Sequence, residues 1–197
     1  MNNKAIKVVA FNGSPRTNGN TAELIKIVFG ELEKENIETK LIHLANAKPL
    51  SGCIACYKCF ETKNKHCALT QDKINEYIDE MLAADAIILA SPTYVADMSA
   101  NLKALIERAA LVAKANGDML QRKVGAAVVA VRRGGAAHVF SSINYFFLIS
   151  QMIIPGSSYW NFGFGLKPGD VLHDEEGVKT MVDLGKNMAF LLKKMKS

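Results

Sequence analysis

Short apolar runs rich in β-branched residues alternate along this chain with stretches of helical period, and that alternation restricts the fold more than any other feature. The first run, residues 6–11 (IKVVAF), ends at Asn12-Gly13. A helical pattern opens at Thr21, carries Leu24, Ile25, Val28 and Leu32 on one face, and fades at Asn36. Further runs occupy 39–44 (TKLIHL), 86–90 (AIILA) and 124–131 (VGAAVVAV). Helical patterns cover 72–83, 101–114, 136–150 and 178–194, and residues 152–154 are expected to begin a fifth strand. Strands apolar on both faces belong to a parallel sheet covered by helices on both sides. Five of them in this alternation predict a doubly wound α/β fold with strand order 2-1-3-4-5.

The 197 residues suit a single domain spanning 1–197, large enough to bury a core without disulfides. A content of 49% hydrophobic and 22% charged residues excludes a disordered chain. The opening MNNKAIKVVAFNG turns polar too early for a secretory signal. The longest greasy stretch, 143–154, is interrupted by Asn144, Ser150 and Gln151 and is too short to span a bilayer. A soluble, cytoplasmic protein without a membrane partner is therefore expected. The net charge of +5 is scattered, and Lys193, Lys194 and Lys196 fall where they complement a helix dipole. No basic stripe with interleaved aromatics is present, so nucleic acid is not an expected partner.

In an open α/β sheet, ligands bind beyond the carboxyl ends of the strands, beside strand 1. The loop at that place reads NGSPRTNGNT from Asn12 to Thr21. Gly13 and Gly19 permit sharp turns, Ser14, Thr17 and Thr21 offer hydroxyls, and Arg16 can neutralise an anion. The helix start adds unpaired N–H groups and the favourable end of its dipole. The alternative is a plain turn in which Asn20 or Thr21 caps the helix. Neither a P-loop nor a G-x-G-x-x-G fingerprint fits this loop.

All four cysteines, Cys53, Cys56, Cys59 and Cys67, lie in a long segment, 45–70, that lacks a clean period and is expected to be a functional loop. Such crowding points to metal or redox chemistry rather than a disulfide framework. Two consecutive C-x-x-C steps, with Cys67 eight residues further on, can wrap thiolates around a cubane, whereas structural zinc sites separate two pairs by a longer insert. Zinc, free thiols and a disulfide-capable loop are the alternatives. The four histidines have no motif partner, which argues against a Ser-His-Asp or Cys-His hydrolase.

GSPRTNGNT after the first strand, SPTYVADMSANLKALIER after the third and RRGG after the fourth resemble the flavodoxin-like NAD(P)H-dependent FMN reductase family. The cysteine run, in this context, resembles that of its iron–sulfur flavoprotein subfamily. The resemblance implies a flavodoxin-like fold and an FMN phosphate held by Ser14, Arg16, Asn18, Gly19, Asn20 and Thr21. It implies an isoalloxazine bordered by Pro92, Thr93, Tyr94 and Met98, with Arg133, Gly134 and Gly135 at its other polar edge. The chain departs from many relatives after Gly135, where Ala136-Ala137-His138 replaces Gln-Glu. By the same resemblance, the four cysteines hold one [4Fe–4S] cluster. The implied activity is an FMN-dependent oxidoreductase drawing on NAD(P)H and reducing a small-molecule or protein acceptor. The alternative is an electron carrier served by a ferredoxin-like donor. A homodimer or homotetramer is expected on the same ground.

Overall fold

The computed structural model describes residues 5–46 and 49–196. In chain order, β1 (Lys7–Asn12) leads to α1 (Asn20–Lys34), β2 (Glu38–His43), a short α2 (Lys58–Thr62), α3 (Ile74–Ala83) and β3 (Ala86–Pro92). Then follow α4 (Ala100–Ala115), β4 (Val124–Val131), α5 (Ala136–Ile149), β5 (Phe162–Phe164) and α6 (Glu175–Lys196). The five strands pair in parallel in the order β2-β1-β3-β4-β5, as the alternation predicts.

The period-2 pleat divides the strand residues between two cores. Val9 and Phe11 of β1, Ile87 and Leu89 of β3, and Val129 and Val131 of β4 face α3, α4 and α5. Their neighbours Val8, Ala10, Ile88, Ala90, Val128 and Ala130 face α1 and α6. β4 is buried along its whole length, which explains its unbroken apolar sequence. Among the described residues, no helix is long and apolar enough to cross a membrane.

The fifth strand lies later than expected. Ile153 makes only an isolated parallel bridge to Val124, exchanging bonds with Lys123 and Gly125. Pro155 follows and has no N–H to extend the ladder, so the chain leaves the sheet. It returns as Phe162-Gly163-Phe164 beside Val129, Ala130 and Val131. The predicted 45–70 loop is likewise not structureless, because it contains α2 and the end of a 3-10 turn at Leu44–Asn46. Ala47 and Lys48 of that loop lie outside the described residues.

Two glycines set the approach of loops at the carboxyl edge. A Cβ on Gly13 would lie 2.6 Å from Ser99 Oγ and 2.9 Å from Leu102 Cβ, so its absence lets the start of α4 pack against the end of β1. Gly135, at φ +91°, presses against Ala96 and Thr93, bringing the loop after β4 onto the loop after β3. Three loops thus converge beyond the strand ends.

Candidate functional site

The loop after β1 is wound by its own side chains. Buried Asn12 accepts the Ser14 N–H through Oδ1 at 2.9 Å, and Ser14 Oγ accepts the Arg16 N–H at 3.1 Å. Gly19 donates to the Arg16 carbonyl at 3.3 Å and then starts α1. No side chain caps that helix, so neither Asn20 nor Thr21 serves as the cap of the plain-turn alternative. Asn20 instead accepts the Gly169 N–H at 2.8 Å, fixing the 165–170 segment against the loop.

These elements enclose a cavity of about 270 Å3. Ser14, Arg16, Gly19, Asn20 and Thr21 form one end, and Pro92, Thr93 and Tyr94 form a wall. Ala130, Val131, Arg132, Gly165 and Leu166 complete the lining. Hydroxyls, Arg16 and an uncapped helix N-terminus suit a phosphate at the first-loop end. Pro92 and half-exposed Tyr94 offer a flat apolar border for a ring. The volume is near the lower limit of ligand pockets, about 300 Å3, so a flavin-sized ligand would remain partly open to solvent.

Other expected residues lie elsewhere. Met98 is 7% exposed and belongs to the core on the α3–α5 side, so it does not line the cavity. On the loop after β4, Arg132 lines the cavity and Arg133 does not. Arg133 and Gly134 are exposed, Asn18 is an exposed residue of the first loop, and Gly135 acts through its contact with Thr93 and Ala96. Between Tyr94 and Asp97 the chain makes a tight turn with paired backbone bonds of 2.8 and 2.9 Å. Val95 and Ala96 occupy its left-handed positions at φ 51° and 60°, which is costly for a β-branched residue.

The four cysteines line a second cavity together with Tyr57, Leu69, Arg108, Leu111 and Val112. All four thiols are free. Ala55 and Tyr57, set between successive cysteines, are left-handed at φ 51° and 55°, the kind of backbone turn that builds concave anion and iron–sulfur sites. Burial pushes the Cys59 thiol pKa up, and the nearby Cys67 and Cys53 sulfurs add to the shift. As the side chains stand, no group of three or more His, Cys, Asp or Glu among the described residues could hold a single metal ion. The donors border a shared space rather than one coordination sphere.

A profile of the NADPH-dependent FMN reductase family matches residues 6–167. The chain belongs to this family. Within it, the chain groups with iron–sulfur flavoproteins. It is 38% identical to one from Methanocaldococcus jannaschii over 198 residues, covering 97% of this chain and 100% of that protein. It is 30% identical to one from Methanosarcina thermophila, covering 95% of each chain. Among solved structures it is similar to RosB, solved with bound 8-demethyl-8-formylriboflavin-5′-phosphate, at a TM-score of 0.71 and 18% identity over 98% of this chain and 82% of that one. A flavodoxin from the domain Archaea gives a TM-score of 0.61 and 16% identity over 95% and 99% of the two chains. These structural likenesses establish the flavodoxin-like fold.

In this FMN reductase family member, two further residues shape the sites and were not among those expected. Arg108 is 1% exposed, and its fork binds Cys67, Asp72, Ser51 and Leu69 at once. Its signal in the sequence is position: it follows Leu105 by three residues and so falls on the inward face of α4. His43 accepts a hydrogen bond from Asn12 beneath the first loop. Nothing in the sequence pairs these two residues, which meet only through the register of β1 and β2.

Proposed function

We propose that this chain is an FMN-dependent oxidoreductase, with FMN held in the 270 Å3 cavity at the carboxyl edge of the sheet. The carrying observation is that this one cavity unites the Ser14–Thr21 loop, the Pro92–Tyr94 segment and Arg132. Ser14, Arg16, Asn18, Gly19, Asn20 and Thr21 would bind the phosphate, Arg16 through a charge-assisted contact and α1 through its uncapped N–H groups. Pro92, Thr93 and Tyr94 would border the ring system. The loop after β4, from Arg132 through Arg133, Gly134 and Gly135, would meet its polar edge. FMN bound there supplies hydride and single-electron exchange between NAD(P)H or another donor and an acceptor. The protein contributes position, charge and access, and no side chain need act as a general acid or base. Titration of flavin-free protein with FMN, followed by assay of NADH and NADPH oxidation, tests this reading. Failure to bind FMN would sink it.

A second role accompanies it, favoured by the shared cavity of the four cysteines. Cys53, Cys56, Cys59 and Cys67 would hold a [4Fe–4S] cluster, and the chain would then pass electrons from a ferredoxin-like partner. Lys58, Lys63 and Lys65, with exposed Ile54 and Tyr57, give this loop a basic and apolar rim suited to an acidic redox partner. Self-association into a dimer or tetramer is supported by α5, whose Tyr145, Leu148 and Ile149 are exposed.

A further inference from the structure

Cys67 is held differently from the other three cysteines. Its backbone is clamped by Asn75, which accepts the Cys67 N–H at 2.8 Å and donates to the Cys67 carbonyl at 3.0 Å. Its sulfur accepts Nε–H of Arg108 at 3.2 Å. That guanidinium has no exposed side-chain surface, and both of its Nη atoms are engaged elsewhere. Nη1 donates to Asp72 at 2.6 Å and to the Ser51 carbonyl at 3.3 Å, and Nη2 donates to the Leu69 carbonyl at 2.6 Å. Asp72, itself 3% exposed, is the charge partner, and it also accepts the Ser51 and Ile74 N–H groups.

Burying the Arg108–Asp72 pair carries a large desolvation cost, and the pair leaves one cationic donor aimed at a cysteine sulfur. Hydrogen bonds to cluster sulfurs, and the net charge around them, set the reduction potential of an iron–sulfur centre. We propose that Arg108 is a positioning residue for Cys67, and that the Arg108–Asp72 pair sets the reduction potential of a cluster bound by the four cysteines. This inference rests on the cluster reading above. Arg108 favours the reduced, more negative state by donating to the Cys67 sulfur, and the Asp72 carboxylate offsets part of that charge. The two partners therefore act in opposite directions, although both hold the same loop.

Anaerobically reconstituted holoprotein tests the pair, with iron and acid-labile sulfide measured per chain and the midpoint potential taken by redox titration. Asp72→Asn keeps an oxygen acceptor for Arg108 and removes the negative charge. It is expected to favour the reduced cluster at least tenfold, a rise of about 59 mV for a one-electron couple. Arg108→Gln removes the charged donor and is expected to shift the potential the other way by a similar factor, with Arg108→Lys falling between it and the parent. Equal potentials at full iron content, or shifts of the same sign, would overturn the proposal. If Arg108→Gln fails to load, Asp72→Asn alone decides: a rise supports the proposal, and no change or a fall overturns it. A parent protein that takes up no iron would instead overturn the cluster reading, and it shows itself before any variant is compared.

Discussion

Asn12 and His43 meet across the first two strands of the sheet, with Asn12 Nδ2 donating to His43 Nδ1 at 3.1 Å. The direction follows from the other end of the amide: the Ser14 N–H can only donate, so Asn12 Oδ1 faces it and Nδ2 faces the ring. His43 must then be neutral, with its proton on Nε2. Burial, reinforced by Lys26, lowers its pKa below 6.5, in keeping with that form.

A histidine with a lowered folded pKa contributes stability that is fully present above its unfolded value. That stability is lost as pH falls through 6.5 toward the lowered folded value. Protonation also removes the acceptor for Asn12 and loosens the first loop. The parent protein is expected to lose about 1 kcal/mol, or about fivefold in FMN affinity, across this acid window. His43→Gln, which keeps an oxygen acceptor at all pH values, should flatten the profile. Thermal denaturation and flavin fluorescence quenching at a series of pH values check both.

Arg16 is exposed and lines the candidate phosphate end of the cavity. Arg16→Ala should weaken FMN binding by about 1.5–3 kcal/mol, the usual worth of a hydrogen bond to a charged group. Riboflavin, which lacks the phosphate, should bind parent and variant alike. Parallel titrations with the two flavins separate a phosphate contact from a general loss of structure.

Gly135 combines φ +91° with a position where a Cβ would lie 2.8 Å from Ala96 Cα and 3.2 Å from Thr93 Cγ2. Gly135→Ala is expected to cost about 1–3 kcal/mol of stability, because the left-handed backbone and the loop contact both resist a side chain. The loop bearing Thr93 should shift with it, so FMN affinity falls beside the melting temperature. Calorimetry and flavin titration on the same preparations check the pairing of the two effects.

Cys59 sits in the first turn of α2, with its sulfur 4.0 Å from the Leu111 carbonyl in α4. Cys59→Ala should abolish iron and acid-labile sulfide while FMN content stays at the parent level. The two sites lie at different places along α4: Ser99, the N-cap of that helix, packs against Gly13, and Arg108 lies about 13.5 Å further along at 1.5 Å per residue. Loss of flavin together with iron would instead show that the sites are built as one.

The layered fold was legible because its signals are local. Continuous apolar runs marked β1, β3 and β4, and hydrophobic period marked α1 and α4. The first loop was legible for the same reason, since Ser14, Arg16 and Gly19 are close in sequence and close in space. Phe162–Phe164 was missed because three residues carry too little pattern, and the apolar 152–154 segment competed for the same role until Pro155 turned it away. Met98, expected beside the ring, is placed by the structure in the core, because an apolar residue beside a ligand loop serves the core as readily as a ring. The Arg108–Asp72 pair joins residues 36 apart on different elements, which no local pattern announces.

The central claim is a flavin at the carboxyl edge of the sheet and a cluster on the cysteine loop. Anaerobic purification, followed by an absorption spectrum with flavin, iron and acid-labile sulfide measured per chain, tests it most directly. One FMN and one four-iron cluster per chain are expected, seen as a flavin spectrum over a broad brown iron–sulfur absorbance. Protein that carries no FMN and binds none when it is supplied would contradict the account.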